Sequence, residues 1–286
     1  MGPGRKGGDE FEYWNAAVVL QLNILAIGIL PVDHPLSRAM AVALSSRIVG
    51  CGLGFRLGSQ GRLLNSKYQF TTRQGVLTRG MTTSTGSGYQ QANIVILHKS
   101  LADDFETFCR ANSGPLPLLY RSQPGEWSCP PLAEDSDIRT DCPQYCVFED
   151  GRLTKQVPDL MGFGRQMQDM VSFYLGCSYG FERTLQSAGV PIRNVEQKRN
   201  VSMYRTALPC HKVGVFQGPM VVSMRPIPAE KLDAAVLASN QFPMAHGGPI
   251  HIGDPAMIGI RDLSQPEYGD TVDPALETSQ CSGPVE

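Results

Sequence analysis

The segment His246-Gly-Gly-Pro-Ile-His251-Ile-Gly-Asp254-Pro puts two of the chain's 5 histidines in one glycine-rich loop, with a carboxylate three residues behind the second. Imidazole exchanges protons near neutral pH, and an aspartate can hold the ring in one orientation. The pattern therefore suits general acid–base work. His251 is the candidate base, Asp254 its orienting group and His246 a candidate proton donor. The same three side chains could instead ligate a metal, but their spacing matches no standard motif such as H-E-x-x-H. A single histidine is more often structural; two in this company favour chemistry.

Two further stretches concentrate functional groups. Pro219-Met-Val-Val-Ser-Met-Arg225-Pro226 reads as a strand ending in arginine, which would aim a guanidinium at the sheet edge, where it can grip a carboxylate with two hydrogen bonds. A surface salt bridge is an equally good reading of Arg225 taken alone. Gly176-Cys-Ser-Tyr-Gly-Phe-Glu182 lies at a helix junction, where exposed amides can hold a carboxylate or phosphate. Ser178 is a candidate substrate contact there and Glu182 a candidate proton donor, although a serine in this place can simply cap a helix. Tyr268, in Glu267-Tyr-Gly-Asp270, is a third candidate substrate contact.

These groups need elements to position them. Asn93 to Leu97 reads as a short strand or the lead into a helix capped by Ser100, with Asp103 and Asp104 in its first turn. Leu101, Phe105, Phe108 and Cys109 fall on one face of that helix, and Gly114-Pro115 stops it. Pro115 to Asp150 is rich in proline and acidic residues and reads as long surface loops. Met167, Met170, Val171 and Tyr174 predict a second helix over 164–175. Ser178 to Leu185 forms a third, ended by Gly189. Val213–Gln217 and Pro219–Met224 read as strands joined at Gly218. Pro226 and Pro228 introduce a helix carrying Leu232, Ala235, Val236 and Ser239. The mixture implies an α/β or α+β fold.

Composition excludes several classes. With 286 residues, 42% hydrophobic and a net charge of -2, the chain has material for a large core and no global attraction to nucleic acid or an anionic membrane. The 8 cysteines form no zinc pattern; Cys142 and Cys146 are four apart, with no second pair at ligand spacing. No phosphate loop or dinucleotide fingerprint is present, so no redox or nucleotide cofactor is expected.

Charge also breaks the chain. Ser37 to Leu101 has no acidic residue but carries Arg38, Arg47, Arg56, Arg62, Lys67, Arg73, Arg79 and Lys99 among many Ser, Thr and Gly. That is the composition of a mitochondrial transit peptide, drawn inward by the membrane potential at ~2.3 kcal/mol per charge per 100 mV. A start at Met40 fits such a signal. The expected organisation is an upstream extension over 1–39, transit peptide and linker over 40–92, a catalytic domain over 93–272 and a disordered tail over 273–286, with a matrix address. The apolar run from Ala16 to Val32 is interrupted by Gln21 and Asn23 and is marginal for a membrane helix.

The motifs at Gly176–Glu182, Val221–Pro226 and His246–Pro255, followed by Ile258-Gly-Ile260 and Pro266–Asp270, together resemble the hydro-lyase family that includes the D-glutamate cyclases. Phe108 to Leu119 is similar to the family's early region. The likeness runs from about Ile94 to Asp270. It implies an α/β body with a mixed sheet, a smaller α+β subdomain and a disordered leader. It also implies a lyase that closes D-glutamate to 5-oxo-D-proline with loss of water, in the matrix. The family pattern continues beyond Asp270 into a further apolar strand, so the resemblance implies C-terminal truncation. For that reaction Arg225 would clamp the substrate carboxylate, His251 would deprotonate the amine, and His246 or Glu182 would protonate the leaving oxygen. The substrate is a small molecule, a homo-oligomer is compatible, and neither nucleic acid nor membrane is an expected partner. The rivals are a metal-assisted hydratase or hydrolase using His246, His251 and Asp254, and a non-catalytic domain that binds an amino acid or a partner chain.

Overall fold

A computed structural model describes residues 91–133, 136–142, 144–149 and 152–273, with the backbone of four short strands nearer the N-terminus. Apart from those strands and a few residues at the boundaries, the expected leader, transit segment, linker and tail lie outside the described residues.

In chain order the strands and helices that build the body are β1 (Ala17–Gln21), β2 (Ala41–Ala43), β3 (Ala92–His98), α1 (Lys99–Ala111), β4 (Leu118–Arg121), β5 (Tyr145–Glu149), β6 (Arg152–Val157), α2 (Gly164–Met167) and β7 (Met170–Gly176). There follow α3 (Glu182–Ser187), α4 (Arg193–Glu196), β8 (Ser202–Pro209), β9 (Pro219–Pro226), α5 (Leu232–Asn240) and β10 (His251–Ile252). The strands form a six-stranded sheet, β4-β7-β3-β2-β5-β6, and a four-stranded sheet, β8-β9-β1-β10. Helices and sheets mix, consistent with the expected α/β fold, but the pairings in both sheets are antiparallel, so among the described residues the expected mixed sheet is an antiparallel one.

The larger sheet is buried on both faces. On one, Val95 and Leu97 of β3 and Val171, Phe173 and Leu175 of β7 meet Leu101, Phe105, Phe108 and Cys109 of α1. Phe105 packs edge-on against Phe173, ring centroids 4.8 Å apart. On the other face, Ile94, Ile96, Met170 and Tyr174 are covered by Cys129, Ile138, Tyr145 and Leu160. The stretch expected to wrap the surface as loops thus supplies two strands and half of a core. The helix expected over 164–175 is a single turn, α2, followed by a central strand. Residues four apart share a face in a helix and in a strand alike, so Met167 with Val171 and Met170 with Tyr174 could not distinguish the two periods. A strand covered on both faces also reads as an unbroken apolar run.

Smaller departures are local. Helix α1 begins two residues earlier than expected: His98 is its cap, its side chain accepting from the Ser100 N–H at 3.2 Å, and the first turn holds no acidic residue. Strand β8 was not anticipated, whereas 213–216 is a tight turn closed by a bridge between Val213 and Phe216.

Candidate active site

The site begins where β7 ends. A Cβ added to Gly176 would lie 1.6 Å from the Met244 carbonyl oxygen, so only glycine permits the 243–245 turn to press against this strand end. The chain then passes through Cys177 into a 3-10 turn, Ser178–Phe181, and directly into α3, whose first residue is Glu182. Ser178 is fully buried, but it is not the N-cap; Cys177 holds that position, without a side-chain capping hydrogen bond.

Strand β9 brings Arg225 to the same place. Its Nη2 donates to Glu182 Oε1 at 2.9 Å and reaches Ser178 Oγ at 3.5 Å, while Nη1 donates to Ser223 Oγ at 3.1 Å. The guanidinium lies 5.4 Å from the centre of the Phe181 ring. Both charged side chains are 3% exposed. Such a pair is costly to desolvate and needs its remaining polar atoms satisfied. Two are not: Arg225 Nε and Glu182 Oε2 make no hydrogen bond. Burial raises the Glu182 carboxyl above the ordinary carboxylate range against the opposing pull of Arg225.

His246 supplies a third orphan. It is buried, with backbone φ of 78°, a left-handed conformation uncommon for residues other than glycine. Nδ1 lies 3.1 Å from the Gly114 carbonyl oxygen, and Nε2 has no partner. A carbonyl can only accept, so Nδ1 carries the proton and Nε2 presents its lone pair. Burial, with the Arg225 charge adding, lowers the ring's pKa to about 4, so the imidazole is neutral at physiological pH. His246 also forms part of the wall of a cleft of about 630 Å³, bounded by Gly114, Pro117, Asn240, Met244 and Gly248 among others.

Known proteins resemble this chain. A family model described as D-glutamate cyclase matches residues 171–279, which span Ser178, Glu182, Arg225 and His246. A Bordetella pertussis protein named "Putative hydro-lyase" is 43% identical over 239 residues, covering 84% of this chain and 80% of its own length. Relatives of the same printed name from Bacillus licheniformis (47% over 200 residues, 70% of this chain and 75% of its own) and Geobacillus kaustophilus (46% over 191 residues, 67% and 72%) agree. The chain belongs to this hydro-lyase family.

In this hydro-lyase the expected site residues divide into two groups. Arg225, Ser178 and Glu182 converge, with His246 close enough to feel the arginine's charge. Tyr268 packs against Cys177, Tyr179 and Val221, and its backbone bridges to Met203 on the same side. His251 and Asp254 belong elsewhere. His251 Nε2 donates to the backbone carbonyl of Asp254 at 2.7 Å, and the Asp254 carboxylate accepts from the Ala256 N–H. The aspartate therefore caps the 3-10 turn Pro255–Ile258 and leaves the imidazole to its main chain. Alternation explains the separation. Val222 and Met224 face Ile258, Ile260 and Ile250, whereas Val221 faces Cys177 and Tyr179, on the side of Ser223 and Arg225. In the register, His251 and Met224 both oppose Val19, and Arg225 opposes Val18.

Ser223 and Gly114 escaped the sequence reading. Ser223 had a signal, lying two residues before Arg225 on one strand and so on the same face. Gly114 acts through a carbonyl that every residue carries. Among the described residues no three His, Cys, Asp or Glu side chains gather as a metal-holding group, so the alternative ligand set of His246, His251 and Asp254 is not assembled. Among the same residues, no helix is long and apolar enough to cross a membrane.

Proposed function

We propose that this hydro-lyase closes D-glutamate to 5-oxo-D-proline, releasing water. The observation that carries the proposal is the buried Arg225–Glu182 pair with one unused polar atom on each partner. In the reaction the amine nitrogen bonds to the side-chain carboxyl carbon and the C–O bond breaks. Two protons lost by the ammonium leave on the oxygen as water. The protein must therefore fix the folded substrate and carry protons from nitrogen to oxygen.

Arg225 Nε offers a charge-assisted donor to a substrate carboxylate, and the Phe181 ring and the bonds to Ser223 and Glu182 hold the guanidinium in place. Glu182, with its raised pKa, retains a proton more readily than a solvated carboxyl, and its free Oε2 can deliver it to the departing oxygen. Ser178 Oγ lies 3.5 Å from Arg225 Nη2, and Tyr268 packs nearby against Cys177 and Tyr179. The family match supports the reaction class, and the buried cluster supports a substrate bearing opposite charges.

The test is incubation of the full chain with D- and L-glutamate and chiral separation of the product. Formation of 5-oxo-D-proline, with L-glutamate untouched, is expected. Conversion of neither isomer by a chain with a cooperative unfolding transition would overturn the proposal.

A further inference from the structure

Resting on that reaction, we infer that the substrate's amine docks in the cleft beside Gly114 and Met244, with His246 Nε2 as its hydrogen-bond and proton acceptor. Two independent features meet there. The cleft, at about 630 Å³, is in the usual range for a small-molecule site. The side chain in its wall carries a buried, unpartnered nitrogen, Nε2, left with a bare lone pair because Nδ1 is the nitrogen bonded to Gly114. Of the other groups in the cluster, Glu182 Oε1 accepts from Arg225 and Ser223 Oγ from the same guanidinium, while the unpartnered Glu182 Oε2 belongs to the carboxyl that donates a proton to the leaving oxygen.

The chemistry selects a class of ligand. A neutral imidazole with a bare Nε2 accepts from an N–H and does not pair with a carboxylate. Arg225 does the converse. A molecule held by both must carry an ammonium or amine at one end and a carboxylate at the other, as a small amino acid does. Proton balance follows: as nitrogen bonds to the carboxyl carbon and the C–O bond breaks, Nε2 takes one proton from the substrate nitrogen and returns it to the leaving oxygen, Glu182 gives that oxygen its second proton, and the second proton lost by the nitrogen restores Glu182. The nearby positive charge of Arg225, which disfavours the imidazolium, drives that return. The left-handed backbone at His246 directly follows the 243–245 turn, whose Met244 carbonyl oxygen closes on Gly176.

Asparagine tolerates a left-handed backbone, and its amide can reproduce the Nδ1 bond to Gly114 while deleting Nε2. Glutamine can place an acceptor near Nε2 but cannot carry a proton. With D-glutamate and the full chain, His246→Asn should lower kcat/KM by at least about 100-fold. His246→Gln should recover KM to within a few-fold of wild type while kcat stays low. Imidazole nitrogen NMR of the wild-type chain at neutral pH should show Nδ1 protonated, Nε2 bare, and an Nε2 signal that moves when D-glutamate is added. A protonated Nε2 in the resting protein would overturn the inference whatever the turnover. Wild-type activity that His246→Asn retains would overturn it while leaving the proposed reaction standing. Absence of both turnover and the NMR shift in the wild type would remove the reaction and this inference together.

Discussion

The two faces of strand β9 carry different kinds of surface. One presents Val222 and Met224 to an apolar cluster with Ile258 and Ile260. The other presents Ser223 and Arg225 to buried polar groups. Each face has a histidine from the same glycine-rich loop. His251 is half-buried and spends its Nε2 on a neighbouring carbonyl, while His246 is buried and keeps its Nε2 unspent. A satisfied polar group on an apolar face has a structural account complete in itself. Buried groups left unsatisfied cost roughly 1–3 kcal/mol each, and a fold retains that cost where a ligand relieves it.

The largest effect should come from breaking the ion pair. Arg225→Met leaves the Glu182 carboxylate buried without its partner and should destabilise the protein by about 3–5 kcal/mol. Adding Glu182→Leu should recover much of that loss, since an apolar pair of similar volume removes both desolvation costs. Activity should not return in the double variant. Denaturant unfolding and turnover measured side by side would separate the two roles. Recovery of turnover with stability would mean that the polar face only supports the fold.

The pH dependence comes next. An unfolded chain protonates His246 from near 6.5, whereas burial holds the folded ring's pKa down to about 4. Between these values the unfolded state binds more protons, so stability falls as pH drops, by about 3 kcal/mol across the window. Glu182 acts in the opposite sense, because its raised carboxyl makes protonation favour the folded state. His246→Asn removes the first contribution and leaves the second. The stability of wild type minus that of the variant should therefore fall by about 3 kcal/mol from pH 6.5 to 4. A flat difference would mean that the ring is solvated.

How much of this was legible beforehand depended on the period of the pattern. Helix α1 was readable because Leu101, Phe105 and Phe108 repeat with helical spacing and His98 to Ala111 has no competing signal. Strand β7 was not, because its apolar residues fill both faces and Met170 and Tyr174 satisfy either period. In the site, the motifs holding Ser178, Glu182, Arg225 and His246 were found, and their types predicted that they could work together. The pairing of His251 with Asp254 was a sequence-local guess. Three residues of separation brings the main chain of Asp254 to the ring, and its carboxylate is drawn off to cap the next turn. What no spacing could reveal is which side of β9 each histidine takes, since that depends on the turn at 243–245 closing over Gly176.

The smallest effect is the one that discriminates best between the faces. His251→Ala removes one hydrogen bond, from Nε2 to the Asp254 carbonyl, at a half-buried position. A bond of that kind is worth about 0.5–1.5 kcal/mol, and water can replace it at the exposed Asp254. Stability should fall by about 1 kcal/mol or less, and kcat/KM for D-glutamate should stay within about 2-fold of wild type. The comparison with His246→Asn is then between two substitutions in one loop, five residues apart, with opposite consequences for turnover. A loss of about 100-fold in His251→Ala, with folding intact, would return the proton acceptor to His251 and require the substrate to reach across the edge of β9. Near-wild-type turnover would fix the reacting nitrogen on the face that carries Arg225, because a base on the apolar face would then have nothing to do.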